Sequence, residues 1–234
     1  MTTPATHAAG RRTRLPKGEG RRLRDEILAA AERMLIETGS QEAVSIRAVA
    51  DAVGVTPPSI YRHFADKNAL IFDVCARHFT ALEDHLRAAC AGIDDPVEKL
   101  VALGMAYIEF GVANPEPYRI MFMTRPDAAP PAYQAQVLAD SAAFDVLVQC
   151  VQECIDAGRF RPVYDDAFRL SLGFWARVHG MTSLQVSKPQ IPWPDDPDFI
   201  ADYTTVCLWG VVRDDPVGTQ ASSGSALQSR SGDT

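Results

Sequence analysis

The stretch SIRAVADAVGVTPPSIYRHFADKNAL, residues 45–70, decides the fold of this 234-residue chain. Four apolar residues in it follow the i, i+3, i+4, i+7 spacing of one helix face: Ile46, Val49, Ala50 and Val53. Ser45 precedes them, where a side-chain oxygen can cap the first free amides. Gly54 follows them, where a helix end favours a residue that tolerates positive φ. The pattern therefore predicts a short helix that ends in a glycine turn.

A second short helix is predicted directly after that turn. Thr56 is placed to be its N-cap and Pro57 to be its first residue, where a missing N–H costs nothing. Ile60 and Phe64 face inward, which turns a mostly polar set outward: Thr56, Pro58, Ser59, Tyr61, Arg62 and His63. A core helix rarely exposes so many donors together with an aromatic ring. A helix-turn-helix that enters a DNA groove is therefore favoured over an ordinary pair of buried helices.

The same residues resemble the TetR family of bacterial transcriptional regulators. The resemblance rests on four groups: Ser45-Ile46-Arg47, Ala50 to Gly54-Val55, Tyr61-Arg62-His63-Phe64, and Lys67. It is dense over residues 21–75, and Trp175-x-x-x-His179-Gly180 is similar to the tryptophan-histidine-glycine signature of one C-terminal subfamily. The resemblance implies an all-α chain. It would have an N-terminal three-helix helix-turn-helix domain and a larger C-terminal helical domain that binds a ligand and dimerises.

The resemblance also implies a DNA-binding surface made of ten residues: Ser45, Arg47, Thr56, Pro57, Pro58, Ser59, Tyr61, Arg62, His63 and Lys67. Arg47 would reach a guanine edge, and residues 57–59 would meet base edges and thymine methyl groups. Tyr61, His63 and Lys67 would contact phosphates, as would the hydroxyl groups that precede the two helices. Because two consecutive prolines remove N–H donors, base readout is expected to depend on the two arginines and on apolar contact.

The charge of the chain is unevenly divided. The net charge is −7, but residues 1–67 hold 11 basic and 8 acidic residues, and the remainder holds 12 and 22. Seven of the basic residues lie within the first 24 positions: Arg11, Arg12, Arg14, Lys17, Arg21, Arg22 and Arg24. Such an arm can neutralise phosphates while the acidic bulk stays away from DNA. The alternative is a solvated tail with no role.

Composition excludes several other classes. Five scattered cysteines without a CxxC pair argue against a disulfide framework and suit a reducing cytoplasm. Cys150 and Cys154 share a helix face, where a redox role and simple apolar packing both remain open. No apolar run approaches the roughly 18 residues of a membrane span. The phosphate-loop, nucleophile-elbow and zinc motifs of enzymes are missing, so we expect neither an enzyme nor a cofactor.

Turn and cap signals divide the chain into four parts. These are a disordered basic arm (1–20), the helix-turn-helix domain (21–68), an effector-binding and dimerisation domain (69–213) and a disordered tail (214–234). Helix starts are predicted at Asp66, Asp95-Pro96, Asn114-Pro115, Pro131, Asp165 or Asp166, and Asp196-Pro197. The proline-rich segment 187–197 is expected to be non-helical.

The larger part carries an expected effector site with an aromatic and methionine lining: Tyr107, Phe110, Tyr118, Met121, Phe122, Phe144, Phe174, Trp175 and His179. For His179 a structural role, holding a bend before Gly180, is the favoured alternative. The last two helices carry apolar stripes that suit either a four-helix dimer interface or the core of the chain itself: Leu170, Phe174 and Val178, then Phe199, Tyr203, Val206 and Cys207.

These expectations combine into one functional hypothesis. A cytoplasmic homodimeric repressor would hold a palindromic double-stranded DNA operator and would be released by a small apolar or aromatic effector. Two half-sites are needed because one short recognition helix buries little surface. A DNA-binding activator and a ligand-independent regulator remain alternatives, and a helical-bundle enzyme is a remote one.

Overall fold

The computed structural model describes residues 19–123, 142–194 and 196–213. In these ranges the chain is helical apart from turns and one isolated antiparallel bridge between Phe160 and Val212, which confirms the all-α prediction. The helices are α1 Glu19–Thr38, α2 Ile46–Val53, α3 Pro57–Ile60, α4 Lys67–Cys90, α5 Pro96–Ala113, α6 Pro115–Met123, α7 Ala142–Asp156, α8 Ala167–Ser187 and α9 Pro197–Val206. A 3-10 turn, Gln41–Ala43, precedes α2. Most of the expected basic arm, the tail and the helix start at Pro131 lie outside these ranges.

Local cap signals place most of the helix starts. The Ser45 hydroxyl accepts the Ala48 amide at 3.1 Å, and Gly54 ends α2 with φ of 73°. Carboxylates begin four later helices: Asp66 accepts the Ala69 amide, Asp95 accepts the Val97 and Glu98 amides, Asp166 accepts the Arg169 amide and Asp196 accepts the Asp198 amide. Each of these bonds satisfies an amide that the first turn of a helix leaves without a partner.

The start of α3 departs from the prediction at Thr56. Its backbone has the extended conformation of an N-cap, but its hydroxyl caps no amide. Pro57 and Pro58 fill the first two helical positions and have no N–H, and the Ser59 amide donates to the Thr56 carbonyl at 2.8 Å. The double proline thus removes one of the amides that a cap side chain would bond. The Thr56 hydroxyl lies 3.1 Å from the Ser59 hydroxyl instead.

Of the described residues, 19–82, 113–123 and 142 form the first compact unit, which closes around an apolar core. In this unit α1 packs against α2 and α6, and α2 packs against α3. Fully buried members of the core come from several helices: Ile27, Ala31, Val49, Ala50, Ile60, Leu70 and Ile71. Phe64 is only 3% exposed, so the predicted inward face of the second short helix is confirmed.

Of the described residues, 83–112, 143–194 and 196–213 form the second compact unit. Its buried residues come mainly from α5, α7, α8 and the segment 207–211 after α9, with Leu86 of α4 and Thr204 of α9. Gly104 marks a close approach, because a Cβ at this position would lie 3.0 Å from Thr204 Cγ2 and 3.6 Å from Val178 Cγ1. The division between the units falls inside α4, after Leu82, whereas the domain boundary expected at 68–69 stays a prediction.

The described helices contain none that is long and apolar enough to cross a membrane. The cysteines are free thiols, most of them turned toward backbone carbonyls. Cys150 and Cys154 are buried and both approach the Pro96 carbonyl oxygen, at 3.7 and 3.2 Å. The hydrogen bond to Cys154, together with burial, raises the pKa of Cys150, and burial raises the pKa of Cys75 to about 11. Burial also raises the pKa of Cys90 and Cys207, so these thiols are protonated at neutral pH.

Candidate functional site

A row of polar side chains follows the exposed side of α3 and the turn after it. Arg62 donates from Nη2 to the Ser59 hydroxyl at 3.1 Å, and that hydroxyl lies 3.1 Å from the Thr56 hydroxyl. Tyr61, with 55% of its surface exposed, lies beside this row, and Pro58 is also exposed. The geometry therefore presents hydroxyl, guanidinium and phenol groups on one short helix whose other side is buried.

Two further candidates lie on or beside α2. Arg47 is exposed in the first turn of that helix. Ser45 uses its hydroxyl oxygen to accept the Ala48 amide, which leaves the hydroxyl hydrogen to donate outward. The ten candidate DNA-binding residues thus lie within the first unit on α2, α3 and their flanking turns, with Lys67 at the start of α4.

Lys67 has a structural partner that the sequence did not indicate. Its ammonium group donates to the Gln41 carbonyl at 2.8 Å and is partly buried. An ammonium group has three donors, so this bond leaves capacity for a phosphate oxygen. Lys67 therefore fastens the start of α4 to the 3-10 turn before α2 as well as being a candidate phosphate contact.

His63 is half-buried at the end of the recognition segment, next to Phe64. Burial lowers its pKa below the ordinary value of 6.5, with the charges of Arg62 and Arg24 acting in the same direction. A neutral imidazole at pH 7 donates through one N–H and carries no net charge. His63 is consequently suited to a hydrogen bond with a phosphate oxygen rather than to an ion pair.

The contacts of Arg24 do not match the phosphate-neutralising role expected for it as part of the basic arm. Its Nη2 lies 2.5 Å from Asp73 Oδ2 on α4, and its guanidinium lies 5.1 Å from the centre of the Phe64 ring. The carboxylate neutralises the charge that was expected to serve phosphates. Sequence reasoning missed this contact because 49 residues separate Arg24 from Asp73 and no local pattern links them.

The effector candidates divide between the two units, and three of those in the second unit, Tyr107, Trp175 and His179, form a polar cluster. Trp175 donates from Nε1 to the Tyr107 hydroxyl at 3.2 Å. The same hydroxyl lies 3.0 Å from His179 Nδ1, within hydrogen-bond distance. His179 Nε2 lies 3.5 Å from the Ser183 hydroxyl. Burial lowers the pKa of His179, in keeping with a neutral ring.

Apolar rings surround this cluster only in part. Phe144 contacts Trp175 edge to face, with ring centres 5.9 Å apart. Phe174 contacts Phe160, with ring centres 6.3 Å apart, and Phe110 contacts His85, with ring centres 5.7 Å apart. The three candidates of the first unit lie on α6: Tyr118, Met121 and Phe122. Of these, the Phe122 ring contacts both Tyr118 and Phe79.

One face of α8 is exposed and apolar, although it is not the face predicted for a dimer. Phe174 and Val178, together with Cys207 after α9, lie in the core. The opposite face carries apolar and small residues: Leu172, Gly173, Ala176, Gly180 and Leu184, hereafter the α8 strip. Leu172 is 38% and Leu184 51% exposed. Nothing lies within 4 Å of a Cβ built on either glycine.

The end of α9 lies beside this strip. Arg177 donates to the Cys207 carbonyl, and the Tyr203 hydroxyl donates to the Arg177 carbonyl at 2.9 Å. Val206 and Trp209, in the same terminal segment, are 47% and 73% exposed. Exposed apolar residues that lie next to one another, unlike isolated ones, are typical of an interaction surface.

The described residues hold no group of three or more His, Cys, Asp or Glu side chains arranged to bind a metal ion. Two family models match the chain. One, described as bacterial regulatory proteins of the tetR family, matches residues 27–74, which include α2 and α3. The other, described as a tetracyclin repressor-like C-terminal domain, matches residues 100–208.

Similar proteins include both a transcriptional activator and a transcriptional repressor. The transcriptional activator FasR of Mycolicibacterium smegmatis is 30% identical over 141 residues, which cover 58% of this chain and 63% of FasR. The chain thus spans less than two thirds of that relative. The transcriptional repressor KstR2 of the same species is 26% identical, over 61% of this chain and 69% of KstR2. A solved protein of unknown function from Rhodococcus sp. RHA1 has a TM-score of 0.64 at 27% identity, covering 82% of this chain and 95% of that one.

Proposed function

The chain belongs to the TetR family of bacterial regulatory proteins, and we propose that it is a homodimeric DNA-binding repressor released by a small, largely apolar effector. The observation that carries the proposal is the row of hydrogen-bonded polar side chains along α3 and its flanking residues, Thr56, Ser59 and Arg62, set on a closed apolar core. Arg62 and Arg47 are the candidates for reading guanine, since a guanidinium matches the O6 and N7 acceptors of that base.

Contacts with the DNA backbone would set the position of the recognition helix. Tyr61, His63 and Lys67 would donate to phosphate oxygens, with the Ser45 hydroxyl as a further donor. Pro57 and Pro58 offer apolar surface to thymine methyl groups in place of N–H donors. Recognition of the operator's base sequence would therefore depend mainly on Arg47 and Arg62.

Fluorescence anisotropy across a salt series tests the DNA-binding proposal. The probes are a duplex selected by the protein from a random library and a shuffled duplex of the same composition. We expect tight binding to the selected duplex, resistance to competitor DNA, and a logarithmic salt slope of about −0.9 per neutralised phosphate. Weak and equal binding to both duplexes would overturn the proposal.

Dimerisation is proposed to occur through the α8 strip together with Val206 and Trp209. Support comes from their exposure, from the small residues that permit close helix approach, and from the use of the other face of α8 in the core. Leu172→Glu and Leu184→Glu are expected to give a monomer in sedimentation velocity, because a buried charge without a partner is strongly unfavourable. Val163→Glu is the matched control, since Val163 is 76% exposed outside the strip. A dimer that survives both strip variants would refute this interface.

The effector is proposed to bind next to the Tyr107, Trp175 and His179 cluster. A ring-lined site with a few oriented polar groups suits a largely apolar ligand that carries one polar end. For a compound that lowers operator affinity in the wild type, Tyr107→Phe should weaken the response. Tyr164→Phe, outside the cluster, should leave it unchanged. Equal responses in both variants would remove Tyr107 from the site. The candidates on α6 stay predictions, and coupling between effector and DNA is expected to be about 1–3 kcal/mol.

An activator is the second candidate, favoured by the similarity to FasR. A promoter fusion distinguishes the two, because deletion of a repressor raises expression of the target and deletion of an activator lowers it. The family points to a regulator and not to an enzyme.

A further inference from the structure

We propose that Arg24 is a positioning residue that fixes the orientation of the recognition helix without touching DNA. The inference rests on the proposed DNA-binding function, and it concerns a residue outside the ten candidates assigned to that surface. Three elements meet at its guanidinium: α1, which carries it, the Phe64 turn after α3, and Asp73 on α4.

Helix α3 needs such support because of its length. It contains four residues, and turns at Tyr61, Arg62 and His63 complete the segment up to Phe64. A single helical turn is unstable on its own, so its orientation depends on the side chains that anchor it. Ile60 and Phe64 are those anchors, at 0% and 3% exposure.

The guanidinium of Arg24 acts on the second anchor. It lies 5.1 Å from the centre of the Phe64 ring, within the range of a cation–π interaction. The Asp73 carboxylate, 2.5 Å from Nη2, holds the other side of the same group. A shift of either partner would move Phe64, and with it the adjoining residues Tyr61 to His63.

A direct contact with a DNA phosphate is the competing role for Arg24. Removing the charge of the Asp73 carboxylate distinguishes the two roles. If Arg24 served phosphates, Asp73 would only offset its charge, and removing that negative charge would tighten DNA binding. If Arg24 positions Phe64, removing the carboxylate releases the guanidinium, and specific binding weakens. The two roles therefore predict opposite changes in DNA affinity for Asp73→Asn.

Arg24→Lys provides a second way to distinguish the two roles. The variant keeps the positive charge, which suffices for a phosphate contact, but it lacks the planar group that stacks on Phe64. Arg22→Gln is the matched control, because Arg22 lies on the same helix and forms an ion pair with the exposed Glu26 on that helix.

The test measures affinity for the selected and the shuffled duplex at several salt concentrations, below the melting temperature of each variant. We expect Asp73→Asn and Arg24→Lys each to weaken binding to the selected duplex about tenfold, with the shuffled duplex unchanged or bound more tightly. The double variant should lose no more than either single variant, since both changes break one contact. Arg22→Gln should affect both duplexes alike.

Unchanged or tighter binding of the selected duplex by Asp73→Asn would overturn the proposal, as would an equal loss on both duplexes. Circular dichroism identifies a variant that does not fold, and Arg24→Lys alone then decides the matter. Failure of the proposed function is a different result, because the wild type itself would then bind both duplexes equally.

Discussion

Substitutions at Ser45 separate two roles of one hydroxyl group. The Ser45 oxygen accepts the Ala48 amide at 3.1 Å and so caps α2, while its hydrogen is available to a phosphate. Removing an N-cap side chain costs about 1 kcal/mol. For a chain of this size that corresponds to a fall of roughly 2–4 °C in the melting temperature. Ser45→Ala is therefore expected to show this loss in a thermal melt and a weaker affinity for the selected duplex.

Ser45→Asp separates the effect of the helix cap on stability from the effect of the phosphate contact on DNA affinity. A carboxylate caps a helix as well as a hydroxyl does and adds a favourable interaction with the helix dipole, so the melting temperature should equal or exceed that of the wild type. The same carboxylate would repel a phosphate, so affinity for both duplexes should fall further than in Ser45→Ala. A melting temperature as low as that of Ser45→Ala would refute the cap. Wild-type DNA affinity in Ser45→Asp would refute the phosphate contact.

Three further predictions concern base readout, packing and pH. Arg47→Ala should lose about 1–3 kcal/mol of affinity for the selected duplex and relax its preference at one base pair, measured with point-substituted duplexes; unchanged affinity would exclude the contact. Gly104→Ala should lower the free energy of unfolding in denaturant, because the new methyl group would lie 3.0 Å from Thr204 Cγ2. In a Thr204→Ser background, which removes that methyl group, the same change should raise stability because alanine has the higher helix propensity. Burial lowers the pKa of His78, although Glu32 opposes the shift, so the neutral form is favoured in the folded state and stability should fall as pH drops below about 6.5. His78→Gln should flatten that dependence in pH-resolved thermal melts, and a profile with the wild-type slope would exclude His78 as its source.

Helix boundaries were predictable wherever a short-range rule acts. Ser45, Asp166 and Asp196 bond amides two or three residues away, so their chemistry is written in the adjacent sequence. Thr56 shows the limit of the same rule, because Pro58 has no amide to offer a cap and the Ser59 amide donates to the Thr56 carbonyl instead. A threonine before a proline indicates where a helix begins without indicating what its hydroxyl bonds.

Tertiary partners were not predictable from such patterns. Asp73 faces Arg24 only because α1 and α4 pack together, and the Gln41 carbonyl meets Lys67 for a similar reason. The proposed dimer surface illustrates a different difficulty. Helix α8 is apolar on two faces, and periodicity alone does not say which face the chain itself buries. The structure places Phe174 and Val178 inside and leaves Leu172 and Leu184 exposed.

The protonated thiols have a practical consequence for observing this protein at work. Maleimide dyes react with thiolates, and the raised pKa values of Cys75, Cys90, Cys150 and Cys207 keep those groups slow to label at neutral pH. A cysteine introduced at the exposed Glu37, in the unit that holds α3, would then be labelled selectively with the native cysteines in place. In a homodimer the two dyes would report the separation of the recognition helices by energy transfer. That separation could be compared directly with the roughly 34 Å repeat of DNA half-sites, with and without effector.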